Sequence, residues 1–453
     1  MLAEYAKILS VPKKELLVLA PNNDPFNCGT PAQVEMAKWF AGVYEQVGYR
    51  GIHLRRLHYR AYDAGLETVS GEEYPNTEKQ WTDLQNASRF ARYLGLVDPG
   101  DFVDMRAPNP TLSVSGLPDI PEPTYEVEAS GGLSDWYLPS ITTDLTGSLQ
   151  VGAEHHVYGY YYADEMQPNL VEVWSEKSGD DATLVPLAHR YGINYCPGIG
   201  FQSVTNIRRM FQRVRNTEKP TRILYISDFD PAGMGMPVQV GRQTQYAIWY
   251  LEEIAEEEAP NVKLEPIILT QKQVVEWELP RKPIKDEDLR KGAWEDRFGE
   301  GAVEVDALEA RHPGRLGRLV RAGIEALQDR TLEQRIDEAE EEASTQVADA
   351  VQEIVERHRT AAQETVDEFN AVAERYRERL EALSTEFEEE VGHLRERFEE
   401  QEAAFTSDLQ GLDVELPALP VGEPPEEFDG WMFDSDKAFV EQTLEFQRRQ
   451  KKR

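Results

Sequence analysis

The chain has 453 residues, a formal net charge of −35, 40% hydrophobic and 29% charged residues. That length suggests roughly two to four domains, and the apolar fraction excludes wholesale disorder. No stretch approaches the ~20 apolar residues of a membrane-spanning helix, and Cys28 and Cys196 form no C-x-x-C pair, so a soluble cytoplasmic protein of a reducing compartment, without membrane association, is expected.

In chain order, residues 1–110 read as helices at 32–46, 53–64 and 77–94. Thr30 stands as N-cap and Pro31 at the first helical position of the first one. Three short helices with loops predict a winged-helix-like DNA-binding domain. Residues 111–150 are rich in Pro, Gly and Ser and read as a linker or an irregular hairpin region. Residues 151–330 alternate strand patterns (171–174, 193–196, 222–226, 262–269) with helical ones (181–190, 203–215, 238–257). That alternation predicts an α/β domain with a mostly parallel sheet and a C-terminal extension.

Residues 331–409 contain no Pro and only Gly392. Apolar positions such as Ile336, Val347, Phe369, Leu380, Leu383, Val391 and Phe398 follow an 11-residue repeat, which predicts one continuous acidic coiled-coil helix. Its apolar stripe needs a cover, and a second copy of the helix is the simplest one. Residues 410–453 read as a Pro-rich acidic tail, an extended arm with one short helix and a basic end, Arg448 to Arg453.

The strongest chemical signal is ILYISDFDPAG, Ile223 to Gly233. An apolar strand delivers Asp228 and Asp230, which share a face in extended chain, and Pro and Gly then turn the chain toward a helix. A second apolar strand ends in Glu176 and Lys177. In a parallel sheet these acids meet in the crevice beyond the carboxyl ends of the strands, where hard oxygen ligands suit Mg²⁺, or Mn²⁺ in its place. The Gly198–Ser203 segment, with Gly200 and Ser203, opens a helix where backbone amides can meet a phosphate. Because the global charge opposes DNA, contact requires a local basic patch. Two candidates exist: Arg50, Arg55, Arg56 and Arg60; and Arg208, Arg209, Arg213, Arg215, Lys219 and Arg222. Lys285 is a further phosphate contact. Glu304 and Asp306 extend the metal site or, more simply, end a strand. His155 and His156 read as surface residues, and no P-loop motif is present.

W-x-E-K ending at Lys177, then G-x-x-S, then S-D-F-D-P-A-G resembles the Toprim domain of topoisomerases, primases and related nucleases. The pattern is most similar to relatives of the topoisomerase VI A subunit, a group that includes meiotic double-strand-break transesterases and phage and bacterial-defence Toprim nucleases. The resemblance covers roughly residues 45–310. It implies that Glu176, Asp228 and Asp230 hold Mg²⁺, and that an N-terminal winged-helix domain carries a catalytic tyrosine four residues after an arginine. Arg55 and Tyr59 match that pattern, while His58 stands where those enzymes often have a second tyrosine. On a helical wheel Tyr59 falls opposite Leu54, Leu57 and Ala61, away from the core. Arg55 would supply the positive charge that a phenol of pKa near 10 needs as a nucleophile.

The expectation is therefore Mg²⁺-dependent DNA strand cleavage by tyrosine transesterification. The remaining contacts to DNA would come from Arg56, Arg60, Lys177, Gly200, Ser203, Arg208, Arg209 and Lys285. The resemblance implies a homodimer in which the tyrosine of one protomer meets the acidic site of the other, and the lack of an ATP motif leaves room for a separate ATPase partner. One alternative is a hydrolytic Toprim nuclease subunit of a plasmid or phage defence complex. Another is a non-catalytic coiled-coil protein associated with DNA.

Overall fold

The computed structural model describes residues 1–103, 109–130, 136–138, 146–198, 200–376, 384–425 and 430–452. The chain divides into two compact units. Met1–Pro118, Asp164–Asp329 and Gly422–Arg453 make up the first, and Asp119–Ala163 and Arg330–Val421 the second.

A five-stranded sheet organises the first unit. Its order is Asn194–Pro197, Leu170–Ser175, Thr221–Ile226, Val262–Ile268, Phe433–Asp434, the first four parallel and the last antiparallel. The adjacent inner strands Leu170–Ser175 and Thr221–Ile226 are buried along their whole length and largely apolar on both faces. Leu224 and Ile226 face one core, against the helices Asp181–Tyr191 and Arg315–Glu325. Ile223 and Tyr225 face the other, against Val204–Thr217 and Gly235–Glu253. From Leu170–Ser175 the chain steps to one side, to Asn194–Pro197, then returns to the opposite side at Thr221–Ile226. The strand order thus reverses between Leu170–Ser175 and Thr221–Ile226, the place where open α/β sheets leave a crevice at their carboxyl ends.

The N-terminal helices Pro31–Val47, Leu54–Asp63 and Glu78–Tyr93 share a further core with Tyr246 and with Phe439 of the C-terminal helix. The first is fixed by a reciprocal cap between Thr30 and Gln33, with Pro31 inside its first turn. Arg242 joins these parts. Buried between the rings of Phe26 and Phe439, it donates to Asp24 at 3.0 Å, to the Leu16 carbonyl at 2.9 Å and to the Thr443 hydroxyl at 3.2 Å.

Three expectations about organisation are corrected. Residues 111–150 are not simply a linker: Thr124–Ser130 is a strand, paired antiparallel with Gly152–Tyr158 in the second unit. Residues 152–158 consequently leave the α/β domain. The alternating Tyr-Glu-Val-Glu stretch carries the strand period, but Pro and Gly on either side obscure it. The tail does not run as a free arm either. Phe433–Asp434 extends the main sheet, and Phe439–Lys452 packs as a helix within the first unit.

The third correction concerns the rod. Residues 332–410 contain two helices, Leu332–Tyr376 and Ser384–Gln410, that pack on each other. Arg375 pairs with Glu390 at 2.7 Å, Glu368 with Arg397 at 2.7 Å, Thr365 bonds Gln401 at 2.7 Å, and His358 meets Asp408 at 2.6 Å. One number rises as the other falls, so the pair is antiparallel. Phe369 and Ala373 pack with Phe387, Val391 and Phe398, so the chain covers its own stripe and needs no second copy for that purpose. The predicted seam positions Leu380 and Leu383 lie outside the described residues.

Candidate active site

The crevice at the point of strand reversal is built from the ends of two neighbouring strands. Ser175 and Ile226 are register partners, so Glu176 and Ser227–Asp228 emerge side by side. The Glu176 amide donates to the Ile226 carbonyl at 2.9 Å, and the Asp228 amide donates to the Glu176 carboxylate at 3.0 Å. Asp228 is nearly fully buried. One of its oxygens accepts from the Val305 amide at 2.9 Å and the other from Lys177 Nζ at 2.6 Å. Phe229 and Val303 exchange backbone bonds, which draws the 302–306 segment alongside. Together these residues line a cleft of about 30 Å³, with Asp180 and Asp306 in its wall. That is room for one or two water-sized groups, not for a nucleotide.

The electrostatics are those of crowded anions. Burial pushes the Glu176 carboxyl up to about 7; the Asp228 amide opposes this, and the charges of Asp228 and Asp230 add to it. Burial likewise pushes Asp180 up to about 6, helped by Asp306 and Asp228. Lys177 is the local counter-charge. Burial works against its ammonium, but the Asp228 hydrogen bond and surrounding carboxylates, including Glu304 at 3.9 Å, raise its pKa overall. Glu304 also pairs with Lys282.

Asp230 turns differently. Its Oδ1 accepts from the Ala232 and Gly233 amides at 2.8 and 2.6 Å, closing the turn into the helix Gly235–Glu253. A Cβ at Gly233 would lie 2.1 Å from the Asp228 carbonyl oxygen, so this turn requires glycine. Among the described residues no three His, Cys, Asp or Glu groups stand in metal-ligating arrangement. The crowded carboxylates, with Glu176 and Asp180 pushed up by burial and neighbouring charge, are hard oxygen donors of the kind a divalent cation takes.

The remaining candidate residues are spread more widely. Gly200 has φ of +74° and its amide donates to the Glu176 carbonyl at 3.2 Å, so that N–H is occupied within the protein. The Ser203 hydroxyl caps the helix Val204–Thr217 by accepting from the Asn206 amide at 3.3 Å. The second basic patch does not form. Arg213 is buried on Glu172, Lys219 donates to the Glu165 and Gln167 carbonyls, and Arg222 is buried against Asn261. Arg215 pairs with Glu257 at 3.0 Å and Arg208 with Asp98 at 3.4 Å. Arg209 stands near Arg213 and Gln202, and Lys285 is exposed away from the cleft.

The first patch does form. The helix Leu54–Asp63 starts where His53 Nδ1 accepts from the Arg55 amide at 3.1 Å, and it buries Leu57, His58 and Ala61. His58 is tied to the Tyr74 hydroxyl at 2.8 Å and to Asn76 at 3.1 Å. The opposite face presents Arg55, Arg56, Tyr59, Arg60 and Tyr62, with Tyr59 45% exposed. Arg55 lies over the Trp81 ring, Arg56 donates to the Tyr49 hydroxyl at 2.9 Å, and Arg60 donates to the Val47 carbonyl at 2.6 Å. None of the three is in an ion pair among the described residues. The structure thus gathers Glu176, Lys177 and Asp228 in one place and the Tyr59 group in another, and Tyr59 does not line the cleft.

Asp180 is the site residue that sequence reasoning misses. The Ser-Gly-Asp-Asp run directly after Lys177 is the available signal. No protein-family model matches the chain, and no curated protein matches it.

Proposed function

We propose that this protein cleaves DNA strands in a cation-dependent reaction, with a Toprim-like acidic site and a winged-helix-like N-terminal domain that grips the backbone. The observation carrying this reading is the Glu176–Asp228 pair. Two carboxylates from adjacent parallel strands meet where the strand order reverses, in a surplus of negative charge with Lys177 as the counter-ion.

Glu176 and Asp228, with Asp230 next to them, are the residues that would hold Mg²⁺ or Mn²⁺. When bound, the cation would offset charge developing on phosphoryl oxygens. Lys177 then leaves Asp228 and turns to a phosphate, as a compact ammonium can. Arg55, Arg56 and Arg60 supply the backbone grip, with Tyr59 and Tyr62 offering ring faces to unpaired bases. Tyr59 is exposed in this positive field, as an attacking phenol needs to be, and its separation from the cleft within one chain calls for a second protomer to complete the site. Hydrolysis without Tyr59 is the second reading, favoured by the same separation.

Cleavage of supercoiled plasmid tests both. Asp228→Ala is expected to lower the Mg²⁺-dependent rate by at least about a hundredfold, the scale of removing one electrostatic stabiliser. Tyr59→Phe is expected to abolish both cutting and any protein–DNA adduct that survives denaturation. Full-rate cutting by Tyr59→Phe leaves hydrolysis, and full-rate cutting by Asp228→Ala overturns the proposal.

A further inference from the structure

A cavity of about 700 Å³ lies in the first unit, between the end of Glu78–Tyr93 and the helices Val204–Thr217 and Gly235–Glu253. It shares no residue with the acidic cleft. Its size is that of a site for a small organic ligand.

Its chemistry is specific. In a chain of net charge −35, the lining carries Arg92, Arg208 and Arg215 against the single lining acid Asp98, with Arg215 already paired to Glu257. Arg208 is held loosely, through one 3.4 Å contact to Asp98, and its Nε is buried without a partner. The rings of Phe211, Tyr246 and Tyr250 supply aromatic wall. Gln243 is 5% exposed; its Nε2 donates to the Tyr93 hydroxyl at 2.9 Å, while its Oε1 is buried and unpartnered. A buried acceptor without a partner is costly and asks for a donor.

These features select one ligand class. An anion is needed for the arginines, a flat ring for the aromatic wall, and an N–H for Gln243. We propose that this cavity binds a free nucleoside phosphate, its phosphate on Arg208 and its base between the rings with an N–H on Gln243 Oε1. Arginine guanidinium suits phosphate through its planar fork of donors.

Isothermal titration and thermal unfolding of the full chain test this, with AMP, GMP and ATP as probes beside adenosine, inorganic phosphate and a single-stranded DNA decamer. At least one nucleotide should release heat and raise the melting temperature. Adenosine should bind about tenfold or more weakly, as loss of a charge-assisted contact implies, and phosphate alone more weakly still. Arg208→Ala, which removes only a partly exposed side chain, should weaken nucleotide binding by about tenfold. Ala247→Phe, which fills the cavity, should abolish binding while leaving the melting temperature of the free protein unchanged or higher. The proposal is overturned if no nucleotide binds at millimolar concentration. It is equally overturned if Arg208→Ala binds as wild type does, or if only the decamer binds.

Discussion

Arg213→Leu is expected to destabilise the first unit by about 3–5 kcal/mol, the usual result of stripping one partner from a buried ion pair. Glu172 is fully buried on the strand Leu170–Ser175, on the face packed against Val204–Thr217. Arg213 meets it with two parallel bonds of 2.8 and 2.9 Å, and Trp174 Nε1 adds a third at 2.8 Å. Asn194 contributes a longer contact at 3.3 Å. Burial alone would raise the Glu172 pKa, but the Arg213 charge and these donors outweigh it and hold the pKa below its usual value. The group therefore stays ionised beside Arg213, and with arginine gone it must either face apolar neighbours such as Met210 and Val214 as a charge or take up a proton, both at a cost.

The double substitution Glu172→Leu with Arg213→Leu should recover much of that loss, because it removes the stranded charge as well as the pair. A depressed pKa also fixes the sign of the pH dependence: the contribution is present above the unfolded carboxylate value, near 4.3, and fades as pH falls through the folded one. Urea unfolding followed by tryptophan fluorescence measures the effect. A loss under about 1 kcal/mol for Arg213→Leu would show that the pair is a solvated contact.

That pair also marks where reading the sequence stops. Arg213 stands in a run of basic residues on an amphipathic helix, and by spacing alone it is as good a phosphate ligand as Arg208 or Arg209. Only the non-local approach of Glu172, from a strand some forty residues earlier, takes it out of solvent. The sheet is far more legible. Strands buried on both faces are largely apolar, so Val171–Trp174, Glu172 apart, and Ile223–Ile226 announce themselves, and the acids after them are placed by the general geometry of α/β sheets. Asp180 has only the Ser-Gly-Asp-Asp run as a cue, since its position depends on how the chain folds back after Lys177. The helices after residue 331 show a further limit. The apolar stripe through Phe369, Phe387 and Phe398 states that something must cover it, and an antiparallel segment of the same chain satisfies that demand as well as a second copy. Phe433–Asp434 joins the sheet through only two register pairs, Lys263 with Asp434 and Leu264 with Phe433, too short a strand to carry a period of its own.

Glu176→Gln should make the metal-free protein more stable at pH 8 and much less so at pH 5. Glu176 is pushed up to about 7 by burial and by the charges of Asp228 and Asp230. In the unfolded chain the same group loses its proton near 4.3. Between those values the folded state holds a proton that the unfolded state has released, so stability falls as pH rises through that window and stays lower above it. Glutamine keeps the acceptor for the Asp228 amide and never ionises, so it escapes that loss, about 1–2 kcal/mol once partial exposure to solvent is allowed for. At pH 5 folded wild-type Glu176 is mostly protonated and only a small part of the loss has accrued; the two proteins become alike below about 4.3, where the unfolded chain also holds the proton. Asp180, raised to about 6, imposes a slope of the same sign on both and does not blur the difference. A bound divalent cation favours the carboxylate, so Mg²⁺ should flatten the wild-type slope and leave the variant's unaltered. Melting temperatures from pH 5 to 8, with chelator and with excess Mg²⁺, read all of this out. If Glu176→Gln destabilises equally at both ends of the range, the carboxyl is not carrying the strain assigned to it. If Mg²⁺ moves both proteins alike, it does not act through Glu176.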